Sequence, residues 1–202
     1  DVQQIFQQQT YMGKTTKLGR LLQAPFTMHA KMLEHIGREA ENARAGKPAR
    51  ITAKMNSLIE PRVMQALYVA SQAGVKIDLV VRGICSLRPG IPGVSENIHV
   101  RSIVGRFLEH TRVFCFENDG NPRVYLSSAD WMGRNFFDRV ETCFPISDKR
   151  MKKRILRELD LYLSDNCQAW VLQSDGSYEK LTAPVSKRKR AQERLLARLA
   201  DD

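Results

Sequence analysis

Three consecutive stretches decide the fold: Ala49-Arg-Ile-Thr-Ala-Lys-Met55, then Pro61-Arg-Val-Met-Gln-Ala-Leu-Tyr-Val-Ala-Ser-Gln-Ala-Gly74, then Val75-Lys-Ile-Asp-Leu-Val-Val-Arg82. The first and third are short, apolar and bounded by turn residues, which predicts strands at 49–55 and 75–82. Between them, proline in the first turn and glycine at the close mark a helix from Pro61 to Ala73. Residues 49–82 therefore read as a β-α-β unit, which normally means a parallel pair with a right-handed crossover. In such sheets, ligands bind beyond the carboxyl ends of the strands.

Working outward, residues 83–97 hold Gly83, Pro89, Gly90, Pro92 and Gly93 and form a long loop, a length that is often functional. Strands are expected at 98–104, 112–117, 123–128 and 139–145, with Asn118-Asp-Gly-Asn-Pro122 turning between the second and third. A helix follows at 148–164 with Ser147 or Asp148 as N-cap, then a short hairpin around Asp175-Gly176. Upstream, Met28, Met32, Leu33, Ile36 and Ala40 recur at helical spacing, and Gly46-Lys-Pro48 ends that helix. Downstream, residues 186–202 are expected to form a basic helix beginning Lys187-Arg-Lys-Arg190, with Leu195, Leu196 and Leu199 on one side. Strands alternating with helices give an α/β fold, a mixed or parallel sheet flanked by helices. The expected division is a helical connecting segment at 1–47, the sheet domain at 48–183 and a basic helical tail at 184–202.

The 202 residues are 43% apolar, enough for a sizeable core, and the net charge is +10. That charge favours polyanionic partners or is simply a basic solvated surface. Cys85, Cys115, Cys143 and Cys167 form no C-x-x-C pair and read as free thiols in a reducing cytosol. The histidines are dispersed, so no zinc site is indicated, and no apolar run is long enough to span a bilayer. The opening Asp1-Val-Gln3 has no signal-like run and reads as the interior of a longer protein.

Candidate chemistry gathers at strand ends. Arg82 closes a strand before the long loop, where its guanidinium fork suits phosphate or caps loop carbonyls. His110 precedes the apolar run Val113-Phe-Cys-Phe116, and Arg106 and Arg112 flank it. An imidazole there can act as nucleophile, acid-base catalyst or donor to a phosphoryl oxygen, or can be structural. Ser127-Ser-Ala-Asp130, then Arg139 and Glu141, bring hydroxyls, cations and carboxylates to further strand boundaries, where carboxylates can orient other groups. Lys54 and Asn56 end the first strand, and Lys54 either meets phosphate as a point charge or faces solvent. His29, His35 and His99 lack supporting neighbours and read as structural or surface residues.

Taken in order, these blocks resemble the first (bacterial) type of polyphosphate kinase. The matching stretches are Ala53-Lys-Met-Asn-Ser-Leu58, Ala70 through Cys85, Leu87-Arg-Pro-Gly90, Ser95-Glu-Asn-Ile98, Arg101 through His110, Ser127 through Met132, and Arg139-Val-Glu141. The resemblance covers about residues 28–180 and implies a phospholipase D-like C-terminal catalytic domain. It also implies reversible transfer of the terminal phosphate of ATP onto inorganic polyphosphate, with ADP released, through a phosphohistidine and with magnesium. By the same resemblance His110 is this domain's catalytic histidine and Arg82 its nucleotide-phosphate arginine. Lys54, Asn56, Asp130, Arg139 and Glu141 are supporting candidates. The phosphorylated histidine and the magnesium-associated residues belong to the preceding domain, whose motif has no match here, so no metal ligand is expected in this chain. The rest of the kinase chain is then a partner, a homo-oligomer is expected in the full enzyme, and no specific nucleic acid is. The implied location is the cytoplasm, with room for peripheral attachment at the inner membrane. His110-Thr-Arg112 departs from the His-x-Lys of the wider superfamily, which weakens a phosphodiesterase reading. That reading and a non-catalytic polyanion-binding module are the alternatives.

Overall fold

The computed structural model describes residues 1–11 and 18–200. In chain order the elements are α1 (Val2–Tyr11), β1 (Leu22–Ala24), α2 (Met28–Arg44), β2 (Arg50–Met55), α3 (Pro61–Gln72) and β3 (Lys76–Val81). Then come β4 (Ile98–Ile103), β5 (Arg112–Phe116), β6 (Arg123–Ser127), β7 (Glu141–Pro145), α4 (Lys149–Leu163), β8 (Ala169–Leu172), β9 (Tyr178–Lys180) and α5 (Ala191–Ala200).

Local chemistry explains most boundaries. The carboxylate of Glu60 accepts the Val63 N–H at 2.7 Å and Pro61 fills the first turn, which starts α3. Asp148 accepts the Met151 N–H at 2.8 Å and starts α4 in the same way. Gly46 and Gly74 follow α2 and α3 with φ of 68° and 94°, a conformation that costs glycine little.

Among the described residues, nine strands join one mixed sheet in the order β1-β7-β6-β5-β2-β3-β4-β8-β9. The pairs β2–β3 and β3–β4 are parallel, and every other neighbouring pair is antiparallel. The sheet is thus a parallel centre with antiparallel flanks. Side chains alternate across it: Phe114 and Phe116 of β5 join the main core with Met28, Met32 and Ile36 of α2 and Leu67 of α3. Val113 and Cys115 of the same strand meet Ile155 and Leu159 of α4 on the other face. Each large side chain buried this way contributes about 1.5–3 kcal/mol. Burial pushes the Cys115 and Cys143 thiols up to about 12 and Cys85 to about 11, which keeps all three protonated and inert.

The ends of the chain differ from the sequence reading. Residues 22–24, inside the segment expected to be a helical connector, pair with β7, and α2 supplies core residues. The expected basic helix at 186–202 is interrupted: Val185–Lys187 is a single 3-10 turn and α5 begins only at Ala191. The reason lies at Asn166, whose backbone N–H bonds the Lys189 carbonyl and whose side chain bonds Lys187 O and the Lys189 N–H, holding that stretch extended. Asp165, 1% exposed, then accepts the Ala191 N–H at 2.7 Å and anchors the start of α5 to the body of the fold.

Candidate active site

Sheet direction gathers the polar residues. The parallel strands β2, β3 and β4 all deliver their carboxyl ends to one edge. The antiparallel strand β5 begins at that edge, β6 ends there and β7 begins there again. Asn56, Arg82, His110, Asp130 and Glu141, from four different connections, therefore share the edge where ligands of such sheets bind.

Asp130 is the hub. It is 6% exposed and accepts the Asn56 N–H at 2.7 Å. Arg112 faces it in a fork, with Nε and Nη2 each 3.2 Å from its carboxylate oxygens. The remaining Arg112 nitrogen, Nη1, donates to the His110 carbonyl at 3.0 Å. A buried carboxylate thereby fixes an arginine, and the arginine fixes the backbone of the histidine. The imidazole itself lies at the surface.

A second brace holds the loop from below. Lys54, 2% exposed, ion-pairs with Glu109 at 3.0 Å, donates to Thr111 Oγ1 at 2.7 Å and lies 4.9 Å over the Tyr162 ring of α4. Burial holds the Lys54 ammonium below its ordinary pKa, with Glu109 opposing the shift. Burial pushes the Tyr162 phenol up, and Glu109 beside it adds to the rise. Lys54 is therefore neither the phosphate contact nor the solvent-facing lysine that its position in the sequence allowed, because its donors are used inside the fold.

Gln192 of α5 is the third brace. Its Oε1 accepts the Phe107 N–H at 3.0 Å, and its Nε2 donates to Phe107 O at 2.8 Å and to Glu109 at 2.7 Å. Gly105 makes room for it, since a Cβ there would stand 2.3 Å from Gln192 Oε1. No local signal in the sequence pairs residue 192 with residues 105–109. Of the groups at this edge, Arg112, Glu109, Tyr162 and Gln192 were not among the expected site residues. Only Arg112 carried a hint, being the third residue of His110-Thr-Arg112.

Arg82 differs from these satisfied groups. Its backbone is fixed, with the N–H on Met55 O at 3.1 Å and the carbonyl accepting Ser102 Oγ at 2.9 Å. Its Nη1 is buried and has no hydrogen-bond partner among the described residues, and the same holds for Asn56 Oδ1. Buried donors are rarely left unpaired, so such a group at a ligand edge points to an acceptor supplied from outside. Glu141 accepts Asn135 Nδ2 at 2.6 Å and the Ser128 hydroxyl, and Arg139 is exposed. His35 is structural, bonded to Tyr125 at 2.8 Å; His29 lies 3.1 Å from Glu60, and His99 is exposed.

The carboxylates here do not suit a resident cation. Asp130 is committed to Arg112 and Asn56, and Glu141 to Asn135 and Ser128. Among the described residues no three His, Cys, Asp or Glu side chains gather at metal-binding distance. Among them, too, no helix is long and apolar enough to cross a membrane.

Known proteins resemble this chain closely in sequence and fold. Residues 21–192 match the family described as "Polyphosphate kinase C-terminal domain 2". A polyphosphate kinase of Pseudomonas aeruginosa is 58% identical over 201 residues, 99% of this chain and 29% of that protein. The crystal structure of polyphosphate kinase from Porphyromonas gingivalis superposes with a TM-score of 0.94 at 38% identity, covering 100% of this chain and 31% of that one. Nuc from Salmonella typhimurium, a phospholipase D family member, gives a TM-score of 0.56 at 16% identity, covering 77% of this chain and 97% of that one, a likeness of fold alone. The chain spans less than a third of the length of the kinases it matches.

Proposed function

The chain belongs to the polyphosphate kinase C-terminal domain family, and from that premise we propose that its carboxyl edge is half of a site moving the terminal phosphate of ATP reversibly onto inorganic polyphosphate. The observation that carries the reading is Arg82 Nη1, a buried donor without a partner at the edge that also presents His110. A phosphate oxygen supplies the missing acceptor, and the guanidinium neutralises charge that grows on the nucleotide during transfer.

In this reading the attacking histidine comes from the preceding domain of the kinase. Its ring nitrogen bonds to the γ-phosphorus as the bond from that phosphorus to the ADP oxygen breaks. A terminal oxygen of polyphosphate then displaces the histidine, extending the polymer by one phosphate, and the reverse sequence makes ATP. His110, held through Arg112 and Asp130, donates a hydrogen bond to the transferring group. Magnesium accompanies the nucleotide phosphates and adds positive charge there; its ligands lie outside this edge.

ATP-dependent polyphosphate synthesis by this chain, alone and mixed with the upstream part of the kinase, tests the reading. Synthesis is expected only in the mixture and is lost with His110→Ala. Synthesis by the chain alone would show that the nucleophile lies within these residues and would sink the split site.

A further inference from the structure

A second basic feature lies between α4 and α5, separate from the edge just described. A groove of about 730 Å³ is lined by Arg150, Lys153, Arg154, Arg157 and Arg198, with Asp148 and Met151. The four cations on α4 recur at i, i+3, i+4 and i+7, so they stand along one face of that helix. Arg198 answers them from α5, which packs against α4. Among the described residues the lining thus holds five cations and one carboxylate; Asp148 already caps α4 by accepting the Met151 N–H, and Arg154 pairs with Glu158. Arg150, Lys153, Arg157 and Arg198 are all exposed, and among the described residues none has an ion-pair partner.

The two helices also have a direction. Near its C-terminus α4 presents Tyr162 beneath Lys54, and near its N-terminus α5 presents Gln192 to the loop of His110. Near the other end of α4, Lys152 bonds Pro122 O, in the β5–β6 turn at the opposite edge of the sheet. The groove therefore lies on a helix pair that runs away from the His110 loop toward the far edge.

We propose that this groove binds a linear inorganic polyphosphate chain, as a holding site outside the catalytic edge. The inference rests on polyphosphate being the substrate. A row of guanidinium and ammonium groups on one helix face, answered from a second helix, suits a flexible polymer with a charge at every repeat. Among the described residues the lining holds no aromatic side chain on which a nucleic-acid base could stack.

The test measures binding of uniform-length polyphosphate to the 202-residue chain across a salt series. It compares the wild type with Arg150→Gln/Arg157→Gln/Arg198→Gln and with a charge-matched control, Arg44→Gln/Lys47→Gln/Lys76→Gln. The groove variant should bind at least tenfold more weakly at equal salt. The slope of log K against log salt should also fall by about 2–3, since each lost phosphate contact removes roughly 0.7–0.9. The control should keep most of the affinity. Equal losses in both triple variants would reduce the effect to net charge and overturn the groove. Unchanged binding in the groove variant would overturn it too. Single-stranded DNA or phosphatidylglycerol vesicles bound as tightly, with the same dependence on the three arginines, would replace polyphosphate as the occupant and defeat the proposal. Synthesis in the mixed assay of chain and upstream segment tests the substrate separately. If synthesis succeeds while groove binding fails, only the groove is wrong.

Discussion

At Arg82 and Asp130, two charged residues of one edge, substitution should have opposite consequences. Asp130 collects donors from Asn56 and Arg112 at under one-tenth exposure. Asp130→Ala leaves the half-buried Arg112 guanidinium without its carboxylate and the Asn56 N–H without its acceptor, a change worth about 3 kcal/mol. Measured by urea unfolding, that loss is a large fraction of the stability of a marginal domain. Arg82 has a buried Nη1 with no partner, so its removal takes away no hydrogen bond from that atom. Arg82→Ala should leave the unfolding midpoint nearly unchanged, within about 0.5 kcal/mol, while ATP affinity in the mixed enzyme falls tenfold or more. A large loss of stability in Arg82→Ala would return this residue to the loop-capping alternative. The position of Arg82 was legible in the sequence, because a strand end before a glycine-rich loop is a local pattern. The fate of Lys54 was not, since Glu109 and Tyr162, which consume its charge, lie far along the chain.

Elements are joined here by single polar side chains, and two of these joints give measurable signatures. Gln192 bonds both backbone groups of Phe107 and the carboxylate of Glu109. Gln192→Leu leaves the two backbone groups of Phe107 without this partner, while Glu109 keeps Lys54. Amide exchange at Phe107 and its neighbours should then quicken by about tenfold or more, as a lost hydrogen bond of about 1.5 kcal/mol implies. Turnover in the mixed enzyme should drop with little change in the KM for ATP. Unchanged exchange at residues 105–109 would mean that α5 does not hold the loop. The second joint is His35, which ties α2 to Tyr125 of β6. Burial, helped by Arg123, lowers its pKa from 6.5 to about 4. The unfolded chain therefore binds a proton at this site between about pH 6.5 and 4 that the folded chain refuses, so stability is full above 6.5 and falls as pH drops through that window. The loss is on the order of 3 kcal/mol by pH 4. His35→Gln should flatten the pH dependence of the unfolding midpoint over that range, and an unaltered profile would assign the acid sensitivity elsewhere. The helices and strands themselves were readable from caps and periodicity, as Pro61, Gly74 and Asp148 show. The break between residue 187 and α5 was not, because Asn166 imposes it from more than twenty residues away.

Across the whole molecule, the part of the fold that stayed hidden in the sequence is the part set by long-range pairing. The β-α-β unit announces a parallel pair, but nothing local tells β5 to insert antiparallel beside β2, and that choice brings His110 to the same edge as Arg82. The same edge is ringed by exposed apolar side chains: Ile84, Val104, Phe107, Leu108, Phe137 and Val140 are each between 45% and 73% exposed. They come from three connections, β3–β4, β4–β5 and β6–β7, all of which leave this edge. Several exposed apolar side chains gathered at one edge are the kind of surface an interface covers. On the proposed mechanism the occupant expected is the domain that brings the attacking histidine to this edge. Leu108→Glu combined with Phe137→Glu should therefore leave the unfolding midpoint of the chain within about 0.5 kcal/mol of wild type, as surface changes do. The same variant should fail to restore polyphosphate synthesis when mixed with the upstream segment, even at concentrations that saturate the wild-type mixture. Full restoration by the double variant would show that the rim is not the contact. Loss of self-association by the variant, with restoration intact, would instead assign the rim to a second copy of this chain.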